Sequence, residues 1–208
     1  MTEDELLEAI DDIEALDSAT EDFAASIADS VESFLIALRA ASREPDGGTV
    51  ISLLLLEISQ VLLAGARLGA QVDFEPRSEY QPDVGPESDL DEMRLRLARL
   101  FGGVDTYSLV FDPYDPEVVD SSLSDDLTSI ASDLENGLRH YRLGDVDEAL
   151  WWWQFSYVSS WGNLAGALLN ALLSVVAHDR LDTDVADLDA DVVAAADEML
   201  AESADESR

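Results

Sequence analysis

The sequence predicts an all-α fold, a single helical bundle of six or seven helices around a hydrophobic central helix at about 146–177. Three observations carry that expectation. Apolar residues recur at spacings of three and four along nearly the whole chain. Residues 150–177 form a run of 28 without one Asp, Glu, Lys or Arg. No segment shows a convincing alternation of strand period, and a hydrophobic content of 47% is enough for a sizeable core.

Taken in order, Leu6, Ile10 and Ile13 mark a first short acidic helix. Phe23, Ile27, Val31, Phe34 and Leu38 then mark a longer amphipathic one. "REPDGG" breaks the pattern with a Pro and paired Gly. The segment at about 49–70 is apolar on most of its circumference and reads as a buried helix, while Glu57 and Arg67 argue against a membrane span. Residues 71–88 hold three Pro and no period, and read as a long connecting loop. "SDLDEMRLRLARLFGG" is a helix with Ser88 or Asp89 as cap and Gly102–Gly103 as stop. Its apolar face is Leu90, Met93, Leu97 and Leu100, and its Arg94, Arg96 and Arg99 make the one basic spot.

"VDTYSLVFDPYDPEVVDSS" fits either a short helix or an extended piece. Leu123, Leu127, Ile130, Leu134, Leu138 and Tyr141 then set a helix at about 123–143 that ends at Gly144. Asp145 and Glu148 have capping-box spacing and start the central helix. "HYRLGDVDEAL" resembles the turn of a tetratricopeptide unit, but that fold needs several stacked repeats and only one hairpin is present. "DADVVAAADEMLAES" reads as a last acidic helix. The whole is expected to be one domain over 1–208, with 1–20 and 181–208 as peripheral acidic extensions.

The uncharged run is longer than a membrane span needs, and its aromatics crowd one end as in an interfacial belt. A helical wheel favours a soluble core helix. Trp153, Tyr157, Trp161, Leu164 and Leu168 form one apolar row, and Trp151, Phe155, Val158, Ala165 and Leu169 a second, about 120° away. The third side carries Ser156, Ser159, Asn163, Asn170 and Ser174, with Trp152 at its start. A lone span would place that stripe in lipid. Burying both rows leaves Trp152 over, so Trp152, Ser156, Ser159 and Asn163 are a candidate interaction surface. Gly162 and Gly166 are expected to let a neighbouring helix approach.

Charge is lopsided: 46 Asp and Glu against 11 basic residues, every one Arg, for a net charge of -35. Adaptation to high salt accounts for this, since at molar salt the Debye length falls to about 3 Å and carboxylate repulsion is screened. With no basic stripe to neutralise phosphates, nucleic-acid binding is not expected. The absence of Cys excludes disulfides, zinc–thiolate sites and Cys nucleophiles. "MTEDELLEAIDDIEAL" lacks the basic and apolar regions of a signal peptide, which points to the cytoplasm.

Few residues suggest chemistry. His140 and His178 lie on different helices without ligand spacing. The alternating acids of "LDTDVADLDADV" lack the Gly and Glu of a calcium loop, and read as a solvated linker. There is no Lys, no glycine-rich phosphate loop and no nucleophile elbow. In "FDPYDPE", Asp112, Tyr114 and Asp115 form a candidate loop site, with turn and cap roles for the two Asp as the simpler account. No cofactor, metal or catalytic residue is assigned. The expected function is a non-enzymatic interaction or adaptor protein that binds a protein partner or itself. A small-molecule or metal-dependent enzyme with a carboxylate-lined site is the alternative, and a membrane-associated protein the third.

"LLAGARLGA" (62–70), "VFDPYD" (110–115) and "SLSDDLTSIASDLENGLRHYRLGDVDEALWWWQFSYVSSWG" (122–162), with the Leu-rich run after it, resemble the family called domain of unknown function 5063. The likeness covers most of residues 25–177 and implies a soluble helical domain with no established activity. In that family the aromatic block reads closer to Trp-Glu-Trp-Arg-Phe, with a His before the Trp-Gly pair. Trp152, Gln154 and Ser160 stand at those positions here, so the resemblance carries no role to them.

The charge yields a first prediction. Helicity and compactness should be lost below about molar salt from uncompensated carboxylate repulsion. Full helicity by circular dichroism in dilute buffer would contradict it.

Overall fold

The computed structural model describes residues 3–44, 47–76, 84–85 and 89–181. Over these it holds five α-helices and a two-stranded antiparallel hairpin. They are α1 (Glu3–Ala41), α2 (Gly47–Gly69), α3 (Asp91–Phe101), β1 (Thr106–Asp112), β2 (Asp115–Ser122), α4 (Leu123–Arg142) and α5 (Val146–Ser156). A 3₁₀ turn, Gly102–Val104, joins α3 to the hairpin. Beyond α5 the helix passes through a π segment, Tyr157–Trp161, and continues to Leu181. The expected acidic last helix and the alternating acids from Asp182 onward lie outside the described residues, as does most of the 71–88 loop.

Two expectations change. The two N-terminal helices are one, because the 39 residues of α1 contain neither Gly nor Pro to stop it. The ambiguous segment is the hairpin, so the expected helical bundle holds with a small two-stranded sheet added, and with five α-helices among the described residues where six or seven were expected. Val110 and Phe111 adjoin, as do Val118 and Val119, and all four are exposed. With both faces of the distal hairpin in solvent, no polar–apolar alternation was there to be read.

The core lies where α1, α2, α4 and the long helix Val146–Leu181 meet, with α3 laid on α4. Ile27, Val31, Phe34 and Leu38 of α1 and Leu54, Ile58, Val61 and Leu68 of α2 are buried there at helical spacing. Leu127, Ile130, Leu134 and Leu138 supply the α4 face. Ser122 caps α4 by accepting from the Asp125 amide at 3.4 Å. Gly144 stops the helix at φ +86°, in the left-handed region. Asp145, expected to cap α5, makes no side-chain capping bond.

Trp153 is, with Trp161, one of the two largest side chains in the core, and it is fully buried. Its indole N–H donates to the Leu134 carbonyl at 3.0 Å, and its ring lies over Gly137, where a β-carbon would overlap it. Gly65 of α2 makes the same room for Tyr157 and Trp161. These glycines set the close helix approaches. Gly162 serves differently: its amide donates to the Tyr157 carbonyl five residues back, closing the π turn, and a β-carbon there would strike that carbonyl. Gly166 has nothing nearby.

Of the two apolar rows on the long helix, Trp153, Trp161 and Leu168 are buried, as expected, with Tyr157 and Leu164 partly so. The second is not a core row. Ala165 is buried, but Phe155 is 53% and Val158 69% exposed. Gly137→Ala should destabilise the fold by about 1–3 kcal/mol through overpacking against Trp153. Denaturant unfolding at fixed salt measures it; an unchanged midpoint would refute the packing account.

Candidate functional site

Consecutive helical residues point about 100° apart, so three adjacent Trp cannot share one environment. Trp153 turns into the core. Trp152 is half-buried, stacked on His140 of α4 with ring centroids 6.3 Å apart, and meets Trp151 edge-on at 5.0 Å. Trp151 stacks nearly parallel on Phe155 at 5.2 Å. A ladder of rings thus runs from the buried His140 to the exposed Phe155. Burial pushes the His140 imidazole below its usual pKa, against the pull of Glu148 and Asp145. Its Nδ1 and the Trp152 Nε1 are both buried without a hydrogen bond.

The outer end of the ladder opens into a cleft of about 250 Å³, walled by Trp151, Phe155 and Val158 on one side and Asp73 and Phe74 on the other. Gln154 holds the second wall in place. Its side-chain carbonyl accepts from the Phe74 amide at 2.8 Å, and its amide donates to the Leu68 carbonyl at 2.9 Å.

A second cleft, of about 310 Å³, separates the hairpin from the long helix. One wall is five consecutive residues of β1, Tyr107–Phe111; the other is Asn163, Ala167 and Asn170. Successive strand residues face opposite sides, so a wall built from five in a row is the strand's edge. β1 pairs only with β2 among the described residues, which leaves that edge free.

A polar knot ties the hairpin to α4. The Tyr107 hydroxyl donates to Asp126 Oδ2 at 2.6 Å, and the Ser121 hydroxyl donates to the same carboxylate at 2.8 Å. Asp105 accepts from the amide and the hydroxyl of Ser124, both at 2.9 Å. Burial raises the pKa of the Asp126 carboxyl, partly offset by its two hydroxyl donors. The Tyr107 phenol is pushed up by burial and by Asp126.

The four residues of the expected interaction surface do not form one surface. Trp152 packs against His140, and Ser156 is buried, donating to the Trp152 carbonyl at 2.6 Å and accepting from the Trp161 indole at 3.1 Å. Ser159 lines the aromatic cleft and Asn163 the hairpin cleft. Asp112, Tyr114 and Asp115 sit at the hairpin turn, where Asp112 accepts from the Tyr114 amide at 2.8 Å, an Asx turn, and Tyr114 is 96% exposed. Residues that sequence reasoning missed are Phe74, Tyr107 and Asp126; Asn170 was read on the polar stripe but not as part of the candidate surface. Tyr107 and Leu109 do alternate with exposed neighbours, a two-residue signal too short to read. Ser160, at the position where a His is usual, donates to Asp133 at 2.8 Å. Among the described residues no three His, Asp or Glu converge to hold a metal ion.

Because the folded Asp126 has a raised pKa, it contributes stability that is fully present below the ordinary value of 3.8 and is lost as pH rises through the raised one. Asp126→Asn should remove that dependence. Unfolding curves of the two proteins across this window are expected to converge toward acid pH and to diverge above it; parallel curves would contradict the assignment.

A search of curated proteins finds no match. The fold is shared with the crystal structure of protein BF1032 from Bacteroides fragilis, at a TM-score of 0.60 and 18% identity, covering 72% of this chain and 89% of that one. The family model for the domain of unknown function DUF5063 matches residues 18–178. With the hairpin, the α4–α5 corner and the aromatic block all inside that span, the chain belongs to the DUF5063 family.

Proposed function

We propose that the protein is a non-enzymatic interaction protein of the cytoplasm, adapted to high salt, which receives an extended segment of a protein partner along the free edge of β1. The carrying observation is the hairpin cleft. A free strand edge offers a row of unpaired amides and carbonyls, a ready template for one more strand. The facing amides of Asn163 and Asn170 can donate to and accept from a peptide backbone lying between them and β1. A two-stranded hairpin is marginal alone in water, and a third strand would complete it.

Charge complementarity indicates the partner. Asp112, Asp115, Glu117 and Asp120 are all exposed on the hairpin, between the exposed apolar Phe111, Tyr114 and Val118. A segment with Arg or Lys between apolar residues fits that pattern, whereas a second copy would bring like charges together. The carboxylates that tie the hairpin to α4, Asp105 before β1 and Asp126 of α4, are engaged by Ser124, Tyr107 and Ser121, which supports a structural rather than a catalytic role for them.

Two helices, Gly48–Gly69 and Val146–Leu181, are long and apolar enough to cross a membrane by length and composition. Membrane association is therefore an outcome of the test. A photo-crosslinking residue at Phe111, used in cells and at molar potassium chloride, is expected to capture a protein through a basic extended segment. Asn163→Ala with Asn170→Ala should cut that product by about tenfold while circular dichroism stays unchanged. Crosslinks to lipid, to a second copy, or to the same proteins from a control site at Leu63 would overturn the reading.

A further inference from the structure

We propose that the aromatic cleft at Phe74, Trp151 and Phe155 binds an organic cation, an alkylammonium or guanidinium group. The cleft is distinct from the one beside β1, one helical turn away along the long helix, and the proposal stands without the hairpin reading. The argument begins with what its walls leave unused. The Gln154 side chain is spent on the backbone of Leu68 and Phe74, so it does not read a ligand. The Ser159 hydroxyl donates to the Phe155 carbonyl at 2.7 Å. Asp73 is exposed on the wall and makes no ion pair or hydrogen bond among the described residues. What remains for recognition is three aromatic side chains and one carboxylate that has no partner among the described residues.

Ring faces carry negative electrostatic potential, and a carboxylate beside them selects a cation whose shell is apolar enough to touch the rings. A neutral apolar ligand would desolvate Asp73 without compensation. An anion would meet Asp73, Glu75 two residues on, and a net charge of -35. The volume of about 250 Å³ is several times the roughly 30 Å³ of a water molecule, room for an alkylammonium head. The molecule already uses this chemistry next door. The Arg67 guanidinium lies 5.1 Å from the centre of the Phe23 ring, and Phe23 stacks on Phe74 at 6.3 Å. Phe74 therefore belongs to an aromatic pair whose far ring holds the chain's own cation, while its near ring lines the cleft.

The test is a titration of the intact protein in molar potassium chloride, followed by NMR of the indole N–H resonances, with Trp151 identified through Trp151→Phe. The probes are tetramethylammonium chloride, its neutral shape analogue tert-butanol, N-acetylarginine amide and a Gly-Gly-Arg-Gly-Gly amide. Saturable shifts of Trp151 are expected with the three cations. Asp73→Asn and Phe155→Leu, both at exposed positions, should each weaken binding about fivefold with helicity unchanged. A pentapeptide binding about tenfold tighter than N-acetylarginine amide assigns the group to a protein partner; equal affinity assigns a free small cation. Tert-butanol binding as well as tetramethylammonium, no saturation by roughly 0.1 M cation, or unchanged affinity in both variants would overturn the proposal.

Discussion

The seating of Trp153 on Gly137 governs much of what the rest of the molecule does. An indole placed against a bare backbone, its N–H given to the Leu134 carbonyl, joins α4 and α5 at a close approach. Emptying such a position costs about 3–5 kcal/mol in typical cores. Its larger consequence is rotational. With Trp153 pointing inward, the 100° step of the helix sends Trp152 to the α4 corner beside His140 and Trp151 outward to Phe155. Three adjacent Trp thus build three environments: core, buried ring stack and open cleft.

The π segment sets the second half of the long helix. Closed by the Gly162 amide on the Tyr157 carbonyl, it inserts a wider turn. The buried row beyond it runs Trp161, Ala165, Leu168 and Leu172. Ser156, the last residue of α5, was expected on the polar stripe but is buried, where it accepts from the Trp161 indole. Ser159 and Asn163 are left outside but part company, one in each cleft. The two clefts are therefore products of the same helix, set by its rotation and by its one irregular turn.

Electrostatics gives both clefts a common character. Several of the 11 Arg are occupied within the fold: Arg39 with Glu135, Arg142 with Glu32, Arg94 with Asp125, Arg96 with Glu92, and Arg67 over Phe23. The exposed ion pairs among these, Arg94–Asp125, Arg96–Glu92 and Arg142–Glu32, contribute little to stability, about 0–1 kcal/mol each. Together these contacts do commit cations to the chain's own acids and rings, and leave carboxylates at the hairpin and at Asp73. Both proposed ligands are basic for that reason. Screening by salt and attraction for a basic group act on the same surface, so affinity should be set more by ring faces and backbone pairing than by long-range charge.

The sequence by itself determined the helical character of most of the chain, the apolar row through Trp153, Trp161 and Leu168, the stop at Gly144 and the family. Each rests on a signal local in the chain: a 3.6-residue period, a glycine after a helix, a block of aromatic motif. The hairpin escaped because periodicity records burial of one face, and the distal hairpin buries neither. The unbroken α1 escaped because the apolar period lapses between Ile13 and Phe23, although no Gly or Pro there breaks a helix. Tertiary structure alone decided that Phe155 and Val158 face solvent, since a wheel gives relative directions and only a neighbour says which are covered. It also decided that Asn163 faces a strand some 55 residues earlier, and that Phe74 closes a cleft with Trp151. Such meetings are settled by how helices seat on glycines, and they leave no period in the chain.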